Sequence, residues 1–337
     1  MTRHRWFLAA AAAALLFACQ GKSHGSEKLP ALGISPDNIT VAGISSGGYM
    51  AGQFYLAHSK VMSGLGVIAA GPYYCAENSI RTALGPCVKG EIAVPTLLAA
   101  ARTASAKGEL DPVEGLRDDR VWLFHGTEDK TVSADVVAAA RDFYAALTDP
   151  ANVTYVDNVS VTHGLPTRTT GAECGQLGRP YLNACNFDGA GEMLKSLRGE
   201  LKPPVDAAGR LIEFDQAEFG DASLNATGFV YVSRACENGR TCPLLIFFHG
   251  CDQSAEVVGD AVVRGAGFNE WAESNGLVVL YPQAKSSRLA PLNPLGCWDW
   301  WGYTGEDYAT RDGAQIKAVK AMVDRLSGAT PSQLSPE

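Results

Sequence analysis

The stretch Gly43-Ile44-Ser45-Ser46-Gly47, which directly follows the apolar run at residues 39–42, decides the fold. An apolar, β-branched run that ends in G-x-S-x-G is typical of a strand that turns sharply into a helix and lifts a serine hydroxyl above the sheet edge. The glycines are needed because so tight a turn leaves no room for Cβ atoms beside the serine. A chain with 36 glycines offers this short pattern many chances to arise, so the prediction needs partners elsewhere.

Two later segments supply an acid and a base in the required order. Residues 121–126 have the pattern of a buried strand, and Asp129 follows them. Residues 153–161 indicate a second strand region, and His163 follows that. The order Ser45, Asp129, His163, each on a loop after a strand, is the order of the α/β-hydrolases. We therefore predict that His163 takes the serine proton and that Asp129 orients the imidazole.

Other residues compete for the acid and base roles. Glu128 is the neighbouring rival of Asp129. His58 lies in the helix-like stretch after the serine turn, His125 precedes the aspartate loop, and His249 ends a separate strand. We predict structural roles for all three histidines.

The oxyanion hole occupies an unusual place in the chain. It needs the N–H of the residue after the nucleophile, here Ser46, and an N–H from a loop after an earlier strand. Residues 244–251 have that strand-and-loop pattern, but they come long after the serine. Joining the amphipathic helix predicted at residues 312–326 to Ile39 would restore the ordinary order. We predict a circularly permuted α/β-hydrolase with a mostly parallel central sheet; two half-domains with separate cores are the alternative.

Length and composition favour one large α/β domain. The chain has 337 residues and no internal repeat, so we predict a single domain over residues 32–326 and a disordered tail over 327–337. A net charge of −8 argues against a nucleic-acid partner. Neither C-x-x-C nor H-E-x-x-H spacing is present, so we expect no metal and no cofactor.

The N-terminus indicates export. Arg3 and Arg5 precede an apolar stretch at residues 6–18 that is too short to span a bilayer, so residues 1–19 are predicted to be a signal peptide. Leu16-Phe17-Ala18-Cys19 resembles a lipoprotein processing box in which Cys19 would carry a lipid anchor. Phe17 is bulkier than that pattern favours, and plain cleavage is the alternative. Either route predicts a secreted, periplasmic or outer-envelope protein.

The cysteine count agrees with an oxidising compartment. Nine cysteines less Cys19 leave eight, an even number, which favours disulfides in an exported chain. Short spacings suggest three bridges and leave one further pair: Cys75 with Cys87, Cys174 with Cys185, Cys236 with Cys242, and Cys251 with Cys297.

A tryptophan-rich segment points to the substrate. Cys297-Trp298-Asp299-Trp300-Trp301-Gly302-Tyr303 holds three of the six tryptophans. Core packing or a sheet edge would explain them, and the functional interpretation is an aromatic wall suited to an apolar or weakly polar acyl chain. Since no arginine cluster marks a phosphate or carboxylate site, we expect a neutral ester as substrate.

Four motifs in this order resemble one known family: Gly43-Ile44-Ser45-Ser46-Gly47-Gly48-Tyr49-Met50, Gly71-Pro72-Tyr73-Tyr74-Cys75, His249-Gly250-Cys251 and Cys297-Trp298-Asp299-Trp300-Trp301. Together they look like the single-domain, circularly permuted poly(3-hydroxybutyrate) depolymerases. The resemblance runs from about residue 32 to residue 326. Their joint occurrence is far more specific than the serine motif alone.

The resemblance implies an exported serine esterase that cuts a polyester. It implies Ser45, Asp129 and His163 as the triad and the N–H groups of Ser46 and Cys251 as the oxyanion hole. It also implies that a tryptophan among Trp298, Trp300 and Trp301, foremost Trp301, contacts the polymer. Because such family members have no separate polymer-binding domain, adsorption would use the enzyme's own surface. A feruloyl or acetyl esterase of plant polysaccharide and a non-catalytic envelope binding protein are the alternatives.

Overall fold

The computed structural model describes residues 27–237 and 239–328. The predicted signal peptide, including Cys19, and residues 329–337 of the predicted tail lie outside this range. The first tail residue, Ser327, instead ends the last helix, and Gly328 caps that helix in a left-handed conformation.

Eleven strands in the described residues form one eight-stranded and one three-stranded sheet. They are β1 (Ile34–Ile44), β2 (Met62–Ile68), β3 (Arg120–Gly126), β4 (Val153–Val159), β5 (Leu165–Thr167), β6 (Ala172–Glu173), β7 (Leu182–Ala184), β8 (Arg210–Asp215), β9 (Thr227–Val232), β10 (Cys242–Phe248) and β11 (Val278–Tyr281).

Ten α-helices connect the strands of this part of the chain, and none of them is long and apolar enough to cross a membrane. They are α1 (Ser46–Ala57), α2 (Ile80–Leu84), α3 (Pro86–Lys89), α4 (Val94–Ala106), α5 (Ala134–Ala145), α6 (Gly189–Arg198), α7 (Ala255–Val258), α8 (Ala261–Gly265), α9 (Phe268–Asn275) and α10 (Ala314–Ser327).

The large sheet combines strands from both halves of the chain in the order β4-β3-β2-β1-β10-β11-β9-β8. Every neighbouring pair from β4 to β11 is parallel, and β9 runs antiparallel to both of its neighbours. The C-terminal helix returns to the start of β1, where the Leu32 N–H donates to the Leu326 carbonyl at 2.8 Å. In an unpermuted hydrolase, the strands at the sheet positions of β10 and β11 come before the serine in the chain. Here they come after it, which is the permuted arrangement predicted from the sequence.

Both faces of the sheet are buried, as expected for parallel strands covered by helices. Successive residues of β1 serve opposite faces: Val41 packs into one core cluster and Ala42 into the other. One cluster holds the buried residues of α1, α5 and α10, and the other holds those of α6 and α9. This three-layer packing holds the carboxyl ends of the strands, where the site lies, on a rigid support.

Four disulfides tie the loops to this framework. The pairs are the three that short spacing suggests, Cys75–Cys87, Cys174–Cys185 and Cys236–Cys242, and the remaining pair, Cys251–Cys297. The Cys251–Cys297 bridge joins the loop after β10 to the tryptophan-rich segment.

Candidate active site

Ser45 sits on a strained turn between β1 and α1. Its backbone has φ 55° and ψ −125°, a left-handed conformation that is unusual for a residue with a side chain. A Cβ atom on Gly43 would overlap the Gly47 carbonyl, and a Cβ atom on Gly47 would overlap the Phe248 and His249 carbonyls. Glycine at both positions lets the turn close and lets the end of β10 lie directly beside it.

Asp129 and His163 form a buried pair on the loops that follow β3 and β4. Asp129 Oδ2 accepts a hydrogen bond from His163 Nδ1 at 2.8 Å, and its Oδ1 accepts the N–H groups of Thr131 and Val132 at 2.8 and 3.0 Å. Burial alone would raise the pKa of Asp129, but the bonds from His163 and the two backbone N–H groups together hold that pKa below its ordinary value. The carboxylate is therefore ionised at neutral pH and fixes a proton on His163 Nδ1.

Ser45 and His163 line the same cleft, which has a volume of about 880 Å³. Within the described residues the structure records no hydrogen bond between the two side chains; His163 is held by Asp129. Such contacts are often long in free enzymes and tighten when substrate binds. The structure thus places Ser45 and His163 on one cleft, with Asp129 bonded to His163.

The rival residues occupy other places. Glu128 is exposed, whereas Asp129 is buried against His163. Burial lowers the pKa of His58 to about 3 and that of His249 to about 4, so both are neutral. His125 Nε2 lies 3.2 Å from the Val132 carbonyl. None of these three histidines is among the residues that line the cleft.

The loop after β10 lies against the serine turn. A Cβ atom built on Gly250 would stand 3.3 Å from Ser45 Cβ. Ser46 and Cys251 both line the cleft, and no hydrogen bond of either backbone N–H is recorded among the described residues. Two backbone donors near one serine are what a developing oxyanion requires.

The three tryptophans have different environments, and the interpretation of Trp298 as a polymer contact is wrong. Trp298 is fully buried against Phe248, with ring centroids 4.8 Å apart, and does not line the cleft. Trp300 lines the cleft and stacks on Tyr49 at 4.1 Å. Trp301 lines the cleft and is only partly buried, which makes it the most accessible tryptophan of the segment.

Asp299 organises the turn that carries these aromatic rings. Its buried carboxylate accepts hydrogen bonds from the backbone N–H groups of Trp301, Gly302, Tyr303 and Thr304 and from the Thr304 hydroxyl, at 2.6 to 3.2 Å. A carboxylate that satisfies a whole turn in this way fixes the aromatic wall before any substrate arrives.

A set of exposed apolar side chains in the cleft lining, called here the apolar rim, was not predicted from the sequence. It consists of five large apolar side chains that are exposed to solvent and line the cleft: Ile80, Leu84, Leu177, Leu292 and Leu295. A contiguous exposed apolar patch marks an interaction surface. The available signal was the stretch 289–295, where leucines alternate with prolines in a segment that cannot be a core helix.

No group of three or more histidine, cysteine, aspartate or glutamate side chains in residues 27–237 and 239–328 could hold a metal ion.

Comparisons with known proteins agree with this arrangement. No family model matches the chain. It is 41% identical to a poly(3-hydroxybutyrate) depolymerase of Delftia acidovorans, over 98% of this chain and 67% of the relative. It is 34% identical to a polyhydroxybutyrate depolymerase of Talaromyces funiculosus, over 88% of this chain and 92% of the relative.

Two solved structures are similar throughout. The PHB depolymerase from Penicillium funiculosum matches with a TM-score of 0.85 and 33% identity, over 90% of this chain and all of that one. A serine-to-alanine PHB depolymerase in complex with an R3HB trimer matches with a TM-score of 0.85 and 32% identity over the same shares. Identity above 30% along nearly the whole chain, together with the shared fold, shows that this chain belongs to the poly(3-hydroxybutyrate) depolymerase family.

Proposed function

We propose that this protein is an exported serine esterase that hydrolyses poly(3-hydroxybutyrate) through an acyl-enzyme on Ser45. The observation that carries the proposal is the buried Asp129–His163 pair, whose imidazole lines the same apolar cleft as the strained serine. The relatives are depolymerases of this polyester, and none of them favours a polysaccharide esterase or a non-catalytic protein.

The reaction follows from the hydrogen bonds. Since Asp129 keeps a proton on His163 Nδ1, the free Nε2 accepts the Ser45 proton as Oγ attacks the ester carbonyl. The N–H groups of Ser46 and Cys251 stabilise the negative oxygen of the tetrahedral intermediate. His163 then gives its proton to the departing hydroxyl end of the polymer. Water attacks the acyl-enzyme by the same steps and releases the carboxylic acid.

The cleft suits an uncharged polyester. Its lining is mostly apolar, and Asp252, the single carboxylate among the lining residues, is neutralised by Arg179 at 2.5 and 2.6 Å. We propose that Trp301 contacts the polymer and that the apolar rim adsorbs its surface, because burial of apolar area gives affinity without a charged partner. A similar protein has been solved with an R3HB trimer, which supports an oligoester in this cleft.

The four disulfides support export to an oxidising compartment. Export by either route leaves the catalytic domain outside the cytoplasm. We propose retention in the envelope through a lipid on Cys19, with release after plain cleavage as the alternative. The mass of the mature N-terminal peptide separates the two routes.

The test is release of 3-hydroxybutyrate from polymer suspensions by the wild type and by Ser45→Ala. We expect the variant to release no 3-hydroxybutyrate. Its melting temperature should stay nearly unchanged, since alanine differs from serine only by the missing hydroxyl group. Release by the variant at a rate near that of the wild type would remove Ser45 from the mechanism. Activity of the wild type on soluble esters but not on the polymer would keep the esterase and refute the substrate.

A further inference from the structure

A buried glutamine amide joins two loops that line the cleft. Gln253, three residues after Gly250, is 2% exposed. Its Oε1 accepts the Gly250 N–H at 2.6 Å, and its Nε2 donates to the Pro180 carbonyl at 2.8 Å. Gly250 belongs to the loop after β10, whereas Pro180 belongs to the loop between β6 and β7, which also carries Leu177 and Tyr181 to the cleft. One side chain thus joins the candidate oxyanion loop to the loop between β6 and β7.

The peptide group between Gly250 and Cys251 is held by the side chain of His249. His249 Nε2 accepts the Ala284 N–H at 3.1 Å, so the ring proton of this neutral histidine is on Nδ1. Nδ1 donates in turn to the Gly250 carbonyl at 2.7 Å. In a trans peptide the carbonyl and the next N–H point in opposite directions, so this bond also sets the direction of the Cys251 N–H.

The two peptide groups that flank Gly250 are therefore each held by one buried side chain. Gly250 has no side chain to restrict its own rotation, and a Cβ atom there would stand 2.8 Å from Gln253 Oε1. Without the glutamine, the first of these peptides would lose its acceptor and the glycine could rotate. The direction of the Cys251 N–H would then be less well defined.

We propose that Gln253 is a positioning residue for the oxyanion hole, which holds the Gly250 turn so that the Cys251 N–H faces the carbonyl oxygen of the ester that Ser45 attacks. This inference rests on the proposed acyl transfer at Ser45 and adds a residue outside the triad and the two donors. Gln253 does not touch the reacting atoms; it acts through the backbone of Gly250. The exposed Arg179–Asp252 ion pair joins the same two loops nearer to solvent.

The test compares Gln253→Met with the matched control Asn269→Leu. Asn269 is also buried and also makes one bond as acceptor, from the Tyr281 hydroxyl at 2.7 Å, and one as donor, to the Val263 carbonyl at 2.8 Å. It packs between α8 and β11, away from the cleft lining. Each variant removes a buried amide of similar shape, so both should lower the melting temperature.

The readouts are kcat and KM for a soluble butyrate ester and the inhibition constant of an alkyl boronic acid, which forms a tetrahedral adduct with a catalytic serine. Loss of a whole oxyanion donor costs about 10²–10³ in kcat, so a misdirected donor should cost roughly 10- to 100-fold. For Gln253→Met we expect that loss in kcat, little change in KM, and boronate affinity weakened in proportion. Asn269→Leu should keep the wild-type kcat and boronate affinity.

A kcat of Gln253→Met within twofold of the control would overturn the proposal, provided that the wild type hydrolyses the ester and Ser45→Ala does not. Failure of the wild type itself would instead refute the proposed function. If Gln253→Met does not fold, Gln253→Glu preserves the shape and both bonds only while its carboxyl is protonated. Once ionised, the carboxylate still accepts the Gly250 N–H but repels the Pro180 carbonyl, so the side chain loses its anchor. The kcat should therefore fall, relative to the wild type, as the pH rises through that ionisation, and a pH profile parallel to that of the wild type would overturn the proposal.

Discussion

The Asp129→Asn substitution replaces one oxygen with an NH₂ group and forces a choice of orientation. Oδ1 of Asp129 accepts two backbone N–H groups, and Oδ2 accepts His163 Nδ1. If the NH₂ group faced the backbone, it would meet the N–H groups of Thr131 and Val132 in a buried site. The NH₂ group and both backbone N–H groups would then lack an acceptor. The amide oxygen should therefore keep the backbone bonds, and the NH₂ group should face His163.

An NH₂ group in that place can only donate to Nδ1. The imidazole proton then has to lie on Nε2, the nitrogen that must accept the Ser45 proton, so the ring is held in the wrong tautomer for a base. The equivalent change in the serine-protease triad lowers kcat by about 10⁴, and we expect a loss of about 10³–10⁴ here. That loss corresponds to roughly 4–5.5 kcal/mol of barrier.

The assay is the initial rate on a soluble butyrate ester, with thermal unfolding measured on the same samples. Glu128→Gln is the matched control, because it removes the same charge from the exposed neighbour and should keep the wild-type rate. The reasoning would be refuted if Asp129→Asn kept more than about a tenth of the wild-type kcat. A large loss in Glu128→Gln alone would assign the acid to Glu128.

Two further substitutions test separate parts of the molecule. Trp301→Ala should lower polymer hydrolysis roughly tenfold, whereas hydrolysis of a soluble ester should stay within about twofold of the wild-type rate. The reason is that the Trp301 ring lines the cleft and is partly exposed. Equal losses on both substrates would mean that Trp301 acts in packing. Asp119 is bonded to the Tyr55 hydroxyl at 2.9 Å, and burial raises its pKa to about 6, above the value of about 3.9 in an unfolded chain. Because the folded state holds the proton more tightly, ionisation of Asp119 destabilises the fold as the pH rises from about 4 through 6. Asp119→Asn should therefore melt about 2–4 °C higher than the wild type at pH 8 and gain nothing at pH 3.5, and no gain at pH 8 would contradict the assignment.

The parts of the site that the sequence predicted are those with a local signature. Strand, tight turn and helix around Ser45 are encoded within about fifteen residues, because β-branched residues favour the strand and two glycines permit the turn. Asp129 and His163 follow the same rule, since each comes directly after a strand that has a buried pattern. The permuted order followed from the late position of the His249-Gly250-Cys251 loop and from the amphipathic helix predicted at residues 312–326.

The parts that the sequence did not predict depend on tertiary direction. In a loop without a regular period nothing tells which of Trp298, Trp300 and Trp301 faces the cleft, and Trp298 turned out to fill the core beside Phe248. The small sheet is missed because its strands have only two or three residues. Gln253 had a signal: it stands three residues after Gly250, a spacing at which a side chain can return to a backbone N–H, as in a capping box.

The permutation leaves the site intact because the site depends on the order of strands in the sheet and not on how they are connected. Ser45, Asp129, His163 and the Cys251 loop follow β1, β3, β4 and β10, which are parallel, so all four reach the same edge. The chain is opened at the other edge, where the Leu326 carbonyl accepts the Leu32 N–H before β1 begins. In a permuted chain the ancestral termini are joined, and here that connection is the segment at residues 199–209, between α6 and β8. It leads into the amino end of β8, which runs in the same direction as β11. Both changes of connectivity therefore lie at the opposite edge of the sheet, one strand length from the residues of the candidate site.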